Sequence, residues 1–169
     1  GILTDKRQRT GLTITHSERR YFAAEISTML GYSGIPTHIF IDKQRQRTYE
    51  IINRLNPDIL VILTDNIDDQ DLPHSIELGI TFRRSQKLTH VPQLDIYLVN
   101  ELGFLAHSTD LINWTLYNDL FMFERSIRGN LIVTAFRNTL QPLLRIETHD
   151  KIHRLDQYTM QLGDLSAEG

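Results

Sequence analysis

The 169-residue chain contains no cysteine, which excludes disulfides, thiolate metal sites and a cysteine nucleophile. It contains no apolar run approaching the roughly 18 residues that a membrane span requires. Its basic start, GILTDKRQRTG, is not followed by an apolar core of signal-peptide length, so the sequence predicts neither a membrane segment nor export. Positive charge is not in excess: 18 Lys and Arg stand against 21 Asp and Glu, a formal net charge of −3. That balance argues against a nucleic-acid partner, and Lys6-Arg7-Arg9, Lys43-Arg45-Arg47 and Arg83-Arg84 read as solvated faces. Seven histidines are present without a metal set; His149 and His153 are four apart, but in a strand-like region with no third ligand at a recognisable offset. A reducing, cytoplasmic setting is the expectation.

What remains is the composition of an ordinary globular domain, 40% hydrophobic and 23% charged. The length fits one domain with a real core. Residues 1–160 are expected to form a single α/β domain and 161–169 a frayed tail.

Periodicity gives the order of elements. Leu12-Thr13-Ile14-Thr15 alternates like a short strand, and Thr15-His16-Ser17-Glu18 reads as a capping box with Thr15 as N-cap. The helix that follows carries Tyr21, Phe22, Ile26, Met29 and Leu30 as a core-facing stripe and is expected to stop at Gly31. Thr37 to Ile41 predicts a strand, and Asp42 is suited to cap a second helix that runs through Leu55 and ends before Asn56-Pro57. Ile59-Leu60-Val61-Ile62-Leu63 is a continuous apolar run of strand length, which implies burial on both faces and a parallel sheet covered by helices. Thr64 to Asp71 holds Asp65, Asp68, Asp69 and Asp71 but lacks the mid-loop glycine and terminal glutamate of a calcium loop, so a solvated loop is expected.

Beyond it, Ser75 to Leu78 predicts a helical turn, Gly79 to Phe82 a short strand, Ser85 to Thr89 a turn, and Leu94 to Val99 a strand. From Phe104 onward the pattern is β-rich: Phe104 to Ser108 and Ile112 to Glu124 suggest short antiparallel strands, with Trp114, Tyr117, Phe121 and Phe123 as core aromatics. Gly129 opens a strand over Leu131 to Phe136, Asn138-Thr139 offers a turn, and Leu143 to Ile146 a second strand running into the polar cluster Glu147-Thr148-His149-Asp150. The chain is expected to be irregular after Leu155. The predicted class is α/β, a mostly parallel sheet flanked by helices followed by a β-rich carboxy-terminal portion.

Three stretches carry a resemblance. GNLIVTAF followed by PLLRIETHD resembles the G-E-L-V-V-T-S … P-L-I-R-Y-R-T-G-D pattern of the ANL superfamily of adenylate-forming enzymes, in particular its phenylacetate-CoA ligase and acyl-protein synthetase branch. YLVNELG resembles the Y-G-x-[ST]-E-x-G element of the same superfamily, with Tyr97, Glu101 and Gly103 in register. The segment N-P-D-I-L-V-I-L is similar to the family's K-P-D-x-L-x-G-x-P stretch. The resemblance covers roughly residues 10 to 155 and implies a partial adenylation domain.

It also implies roles. Asp150 would accept hydrogen bonds from the ribose hydroxyls of ATP, Glu101 would hold Mg²⁺, Tyr97 would stack against or border the adenine, and Asn100 stands where a hydroxyl residue faces the phosphates. Arg145 matches the family arginine, with a structural or phosphate-side role; His149 and Ile146 replace the usual glycine and tyrosine. In the family a Gly/Ser/Thr-rich phosphate loop precedes the Thr-His helix start, but here Thr4 to Gly11 holds one glycine in eight residues, too few for a cradle of backbone N–H groups. A counterpart of the lid domain with its catalytic lysine is not seen, so no residue is assigned as catalytic. The expectation is a fragment of an ATP-dependent carboxylate-activating ligase, inactive alone, acting on a carboxylic acid and CoA or a carrier thiol. The alternatives are a non-catalytic binding or assembly module and, less favoured, a freestanding α/β regulatory domain, with a homo-oligomer left open.

Overall fold

The computed structural model describes residues 8–65, 67, 69–82, 87–99, 102–136 and 145–163. They fall into two compact units, the first running to Thr81 and including Leu88–Leu94, the second holding Phe82, Lys87 and the chain from Asp95.

The first unit follows the predicted strand and helix order. Strands β1 (Gly11–Thr15), β2 (Thr37–Ile41), β3 (Ile59–Leu63) and β4 (Leu78–Phe82) are parallel in the order β2-β1-β3-β4, with helices α1 (Arg20–Tyr32) and α2 (Arg45–Leu55) in the crossovers. All five residues of β1 and all five of β3 are buried. Two-sided burial is what a continuous apolar run requires. Leu12, Ile14, Leu60 and Ile62 pack with Ile52, so α2 covers their face of the sheet. Thr13, of opposite parity, bonds Ser27 of α1 at 3.1 Å, so α1 covers the other. Each fully buried aliphatic here contributes about 1.5–3 kcal/mol.

Several local expectations are corrected. The capping box does not form: the Thr15 carbonyl is taken by the N–H of Asp42 at 2.7 Å, and its hydroxyl donates to the His16 carbonyl at 3.1 Å. The sheet claims Thr15, so a short 3₁₀ turn over Ser17–Arg19 intervenes and α1 starts without a side-chain cap. The helix runs one residue past Gly31, and the left-handed turn is made by Gly34 at φ +80°. Its stripe is not wholly core. Ala23 and Ile26 are buried, whereas Tyr21 and Met29 are 73% and 51% exposed, because the helix meets the sheet through small and hydroxyl residues. Asp42 is not the cap of α2, whose N-cap position is Gln44. The helix does end at Leu55, with Asn56 in the left-handed conformation at φ +43°. The loop after β3 is not simply solvated, since Ile67 and Leu72 enter the core while Asp65 stays exposed.

The second unit is antiparallel. Its strands are β5 (Gln93–Val99), β6 (Gly103–Ser108), β7 (Trp114–Leu116), β8 (Phe121–Arg125), β9 (Asn130–Ala135), β10 (Ile146–Leu155) and β11 (Thr159–Leu162). They run in the order β5-β6-β7-β11-β10-β9-β8. The core is Tyr97, Leu105, Trp114, Phe121, Leu131, Val133, Ile152 and Met160, with Tyr117 and Phe123 packed against it, so the grouped aromatics are core as expected. β10 carries two register shifts and serves two partners, β9 with its first half and β11 with its second. The expected irregularity after Leu155 is therefore replaced by a tight return through Asp156–Tyr158 into β11. The expected turn at 138–139, most of the strand before Ile146, the first two residues of the turn at 85–89 and the 165–169 tail lie outside the described residues.

Candidate functional site

Two of the expected site residues meet in the second unit. Tyr97, on β5, is fully buried, its ring edge-on to Trp114 with centroids 6.0 Å apart and planes at 67°. Its hydroxyl donates to Oδ2 of Asp150 on β10, across 53 positions of sequence. With the ring in the core, Tyr97 presents its hydroxyl end to Asp150. The Asp150 N–H bonds the Thr148 hydroxyl at 3.2 Å. The polar cluster does not close a strand, because β10 continues to Leu155, and its members alternate: Thr148 and Asp150 point inward, Glu147 and His149 outward. Glu147 is tied to the hairpin between β8 and β9. The Ser126 hydroxyl and the Asn130 amide, the latter at 3.0 Å, hold its carboxyl below the usual range.

Arg145 is not brought to Asp150. It sits just before β10 in the left-handed region at φ +42°, and its Nε pairs with Glu124 Oε2 of β8 at 3.2 Å, on the surface. Asn100 and Glu101 lie outside the described residues. Among the described residues there is no group of three or more His, Asp or Glu that would hold a metal ion. No described helix is long and apolar enough to cross a membrane.

At the end of the stretch from Thr4 to Gly11, the one glycine serves packing. A Cβ on Gly11 would lie 2.5 Å from the Thr37 hydroxyl oxygen, so only glycine lets β2 approach β1 there. The Gly11 N–H goes to the Pro36 carbonyl at 2.8 Å and the Thr10 N–H to the Asp58 carboxylate at 2.7 Å. Neither is available to a phosphate.

A second polar cluster, which the sequence reading did not assemble, stands at the carboxyl ends of β1, β2 and β3. His16 follows β1, Asp42 follows β2 and Thr64 follows β3. His16 Nε2 is 2.9 Å from the Thr64 hydroxyl, and Asp42, 7% exposed, accepts from Thr64 at 3.3 Å and from Thr48 at 2.7 Å. The available signal was positional: each of the three is the residue immediately after a predicted strand. A cleft of about 310 Å³ opens elsewhere in the second unit, lined by Leu116, Asn118, Phe121, Phe136, Gln157 and Tyr158; Tyr97 and Asp150 take no part in it.

No protein-family model matches the chain, and no curated protein matches it. Solved structures do match in fold. An open conformation of 2-hydroxyisobutyryl-CoA ligase in complex with 2-HIB-AMP and CoA superposes with a TM-score of 0.66 at 9% identity, over 91% of this chain and 44% of that one. The same ligase in the postadenylation state gives 0.67 at 9% identity, covering 91% and 42%. The luciferase-like enzyme from the nonluminescent mealworm Zophobas morio gives 0.53 at 14% identity, covering 92% and 48%. At these identities the likeness is one of fold, and the chain spans less than half the length of each of these proteins.

Proposed function

We propose that the chain is part of an ATP-dependent, carboxylate-activating ligase of the ANL superfamily, in the phenylacetate-CoA ligase and acyl-protein synthetase branch. The observation that carries this reading is the hydrogen bond from Tyr97 to Asp150, because it joins the two stretches that resemble the family's nucleotide motifs. The fold shared with an acyl-CoA ligase that holds an acyl-AMP supports it. In this reading residues 1–160 form one partial adenylation domain of a cytoplasmic protein.

The chemistry asks for few groups from this chain. Activation of a carboxylic acid places negative charge on the α-phosphate as pyrophosphate leaves, so the site needs a cation, hydrogen-bond donors and a holder for the ribose. Asp150 would hold the ribose hydroxyls, with the Tyr97 hydroxyl fixing the carboxylate; the fully buried Tyr97 ring stays against Trp114 and not against the adenine. Magnesium would rest on Glu101, with Asn100 beside the phosphates. The Glu124 ion pair favours the structural role for Arg145. A carboxylic acid and then CoA or a carrier thiol are the proposed partners.

A second reading, a non-catalytic binding or assembly module, is favoured by the committed N–H groups of Thr10 and Gly11. Phosphate positioning and charge stabilisation supply most of the acceleration in such transfers. We therefore expect the 169-residue chain by itself to stay at background in ATP–pyrophosphate exchange with magnesium and a broad panel of carboxylic acids. Robust exchange abolished by Asp150→Ala would show that another segment does the work of the phosphate loop.

A further inference from the structure

The parallel sheet of the first unit has a feature the nucleotide reading does not use. From β1 the chain crosses to β2 on one side, and from β3 to β4 on the other, with α1 and α2 on opposite faces. Loops leaving β1 and β3 therefore part, and the crevice outside their carboxyl ends is where open α/β sheets take ligands. His16 and Thr64 are the residues at that point.

One arrangement of hydrogens makes His16 a base. The Thr64 hydroxyl has one hydrogen; given to the Asp42 carboxylate, it leaves the oxygen to accept from His16 Nε2–H. The chain Asp42, Thr64, His16 then holds the ring in the Nε2–H tautomer and leaves Nδ1 as a lone pair. Among the described residues nothing partners Nδ1. Asp42 is itself held by Thr48 at 2.7 Å, so the relay is anchored from both β3 and α2. A third group that fixes one ring nitrogen orients the imidazole and leaves the other nitrogen to accept a proton, the geometry of an oriented base.

We propose that His16 is a proton-accepting site at the carboxyl ends of β1 and β3, serving a ligand that brings a hydroxyl or thiol to Nδ1. On transfer the O–H or S–H bond breaks, its electron pair stays on the ligand atom and the proton goes to Nδ1. The resulting imidazolium is balanced by Asp42 through Thr64. Asp42 and Thr64 are positioning residues.

Three measurements on the intact chain test this. At pH 8, ring ¹⁵N spectra should show His16 protonated at Nε2 and bare at Nδ1, with the Nε2 proton slow enough in exchange to be seen. An Nδ1–H tautomer overturns the proposal on the wild-type protein alone. Diethyl pyrocarbonate, read by peptide mass spectrometry, should modify His16 several-fold faster than the exposed His149. Thr64→Ser should keep that advantage, whereas Thr64→Val and Asp42→Asn, checked for unchanged far-UV dichroism, should abolish it. A His16 rate equal to that of His149, or untouched by Thr64→Val, contradicts the relay. Finally, 2-mercaptoethanol, which carries both a hydroxyl and a thiol, should shift the His16 ring signals saturably in the wild type and not in Thr64→Val; no shift in the wild type overturns the ligand assignment.

Discussion

In the parallel unit, His16, Asp42 and Thr64 come from three loops and meet at one edge of the sheet; in the antiparallel unit, Tyr97 and Asp150 meet inside the fold, midway along their strands. The difference lies in topology. Parallel strands joined by crossover helices bring all their carboxyl ends to one edge, so residues following successive strands become neighbours whatever separates them in sequence. Antiparallel neighbours depend on register, and β10 shifts register twice. A polar site in the first kind of sheet is set by strand order, and in the second by the bulges that aim each side chain.

Core truncations bear on this comparison with the largest effect. Leu60→Ala in β3 and Leu131→Ala in β9 both remove fully buried side chains, and each should cost about 2–5 kcal/mol in urea denaturation. A loss below about 1 kcal/mol at either site would mean that the strand is not built into a core as described.

The next effect separates the two polar sites. Asp42→Ala removes the buried acceptor that the Thr48 and Thr64 hydroxyls share, leaving Thr48 its longer bond to the Gln44 carbonyl and Thr64 its contact with His16, and should cost about 1–3 kcal/mol. Thr48→Val, which removes one donor and keeps the shape, should cost less. Equal losses would mean that Asp42 is not the hub of the cluster.

Local turns should respond less, and with a defined pH dependence. Burial pushes the Asp110 carboxyl up, but the N–H and amide of Asn113, the N–H of Ile112 and the Ser108 hydroxyl outweigh it and hold the group well below the usual carboxylate range. A depressed folded value means that the carboxylate stabilises fully above the unfolded value of about 3.9 and loses that contribution as pH falls towards the folded one. Asp110→Asn should therefore cost about 1 kcal/mol at pH 7. Its difference from wild type should shrink below about pH 4. A difference that is flat from pH 7 to pH 3 would remove this account. Smallest of all, Arg145→Ala breaks an exposed pair with Glu124 and should change stability by no more than about 1 kcal/mol.

How much of this was legible follows the same division. The apolar run Ile59 to Leu63 announced a two-sided parallel strand, and Asn56-Pro57 marked the end of α2, because burial and backbone chemistry act locally. Thr15 and Asp42 were misread as helix caps because a capping signature states only what a side chain can do. In the fold the backbone of Thr15 bonds Asp42, and Asp42 collects hydroxyls from α2 and β3. The neighbourhood of His16 and Thr64 was present in the strand order but not in any motif. Tyr97 and Asp150 stood in motifs, yet the inward turn of Asp150 and the outward turn of His149 depend on a register that spacing does not reveal.

The role proposed for the carboxylate bonded by Tyr97 is to hold a nucleoside. Its most direct test is AMP affinity by isothermal titration for the wild type, Asp150→Ala and Tyr97→Phe. The account predicts measurable binding by the wild type, a loss of at least about tenfold for Asp150→Ala, where a charge-assisted acceptor disappears, and a smaller loss for Tyr97→Phe, where the carboxylate remains but loses the Tyr97 hydrogen bond. No binding by the wild type, or equal affinity in the wild type and Asp150→Ala, would contradict it.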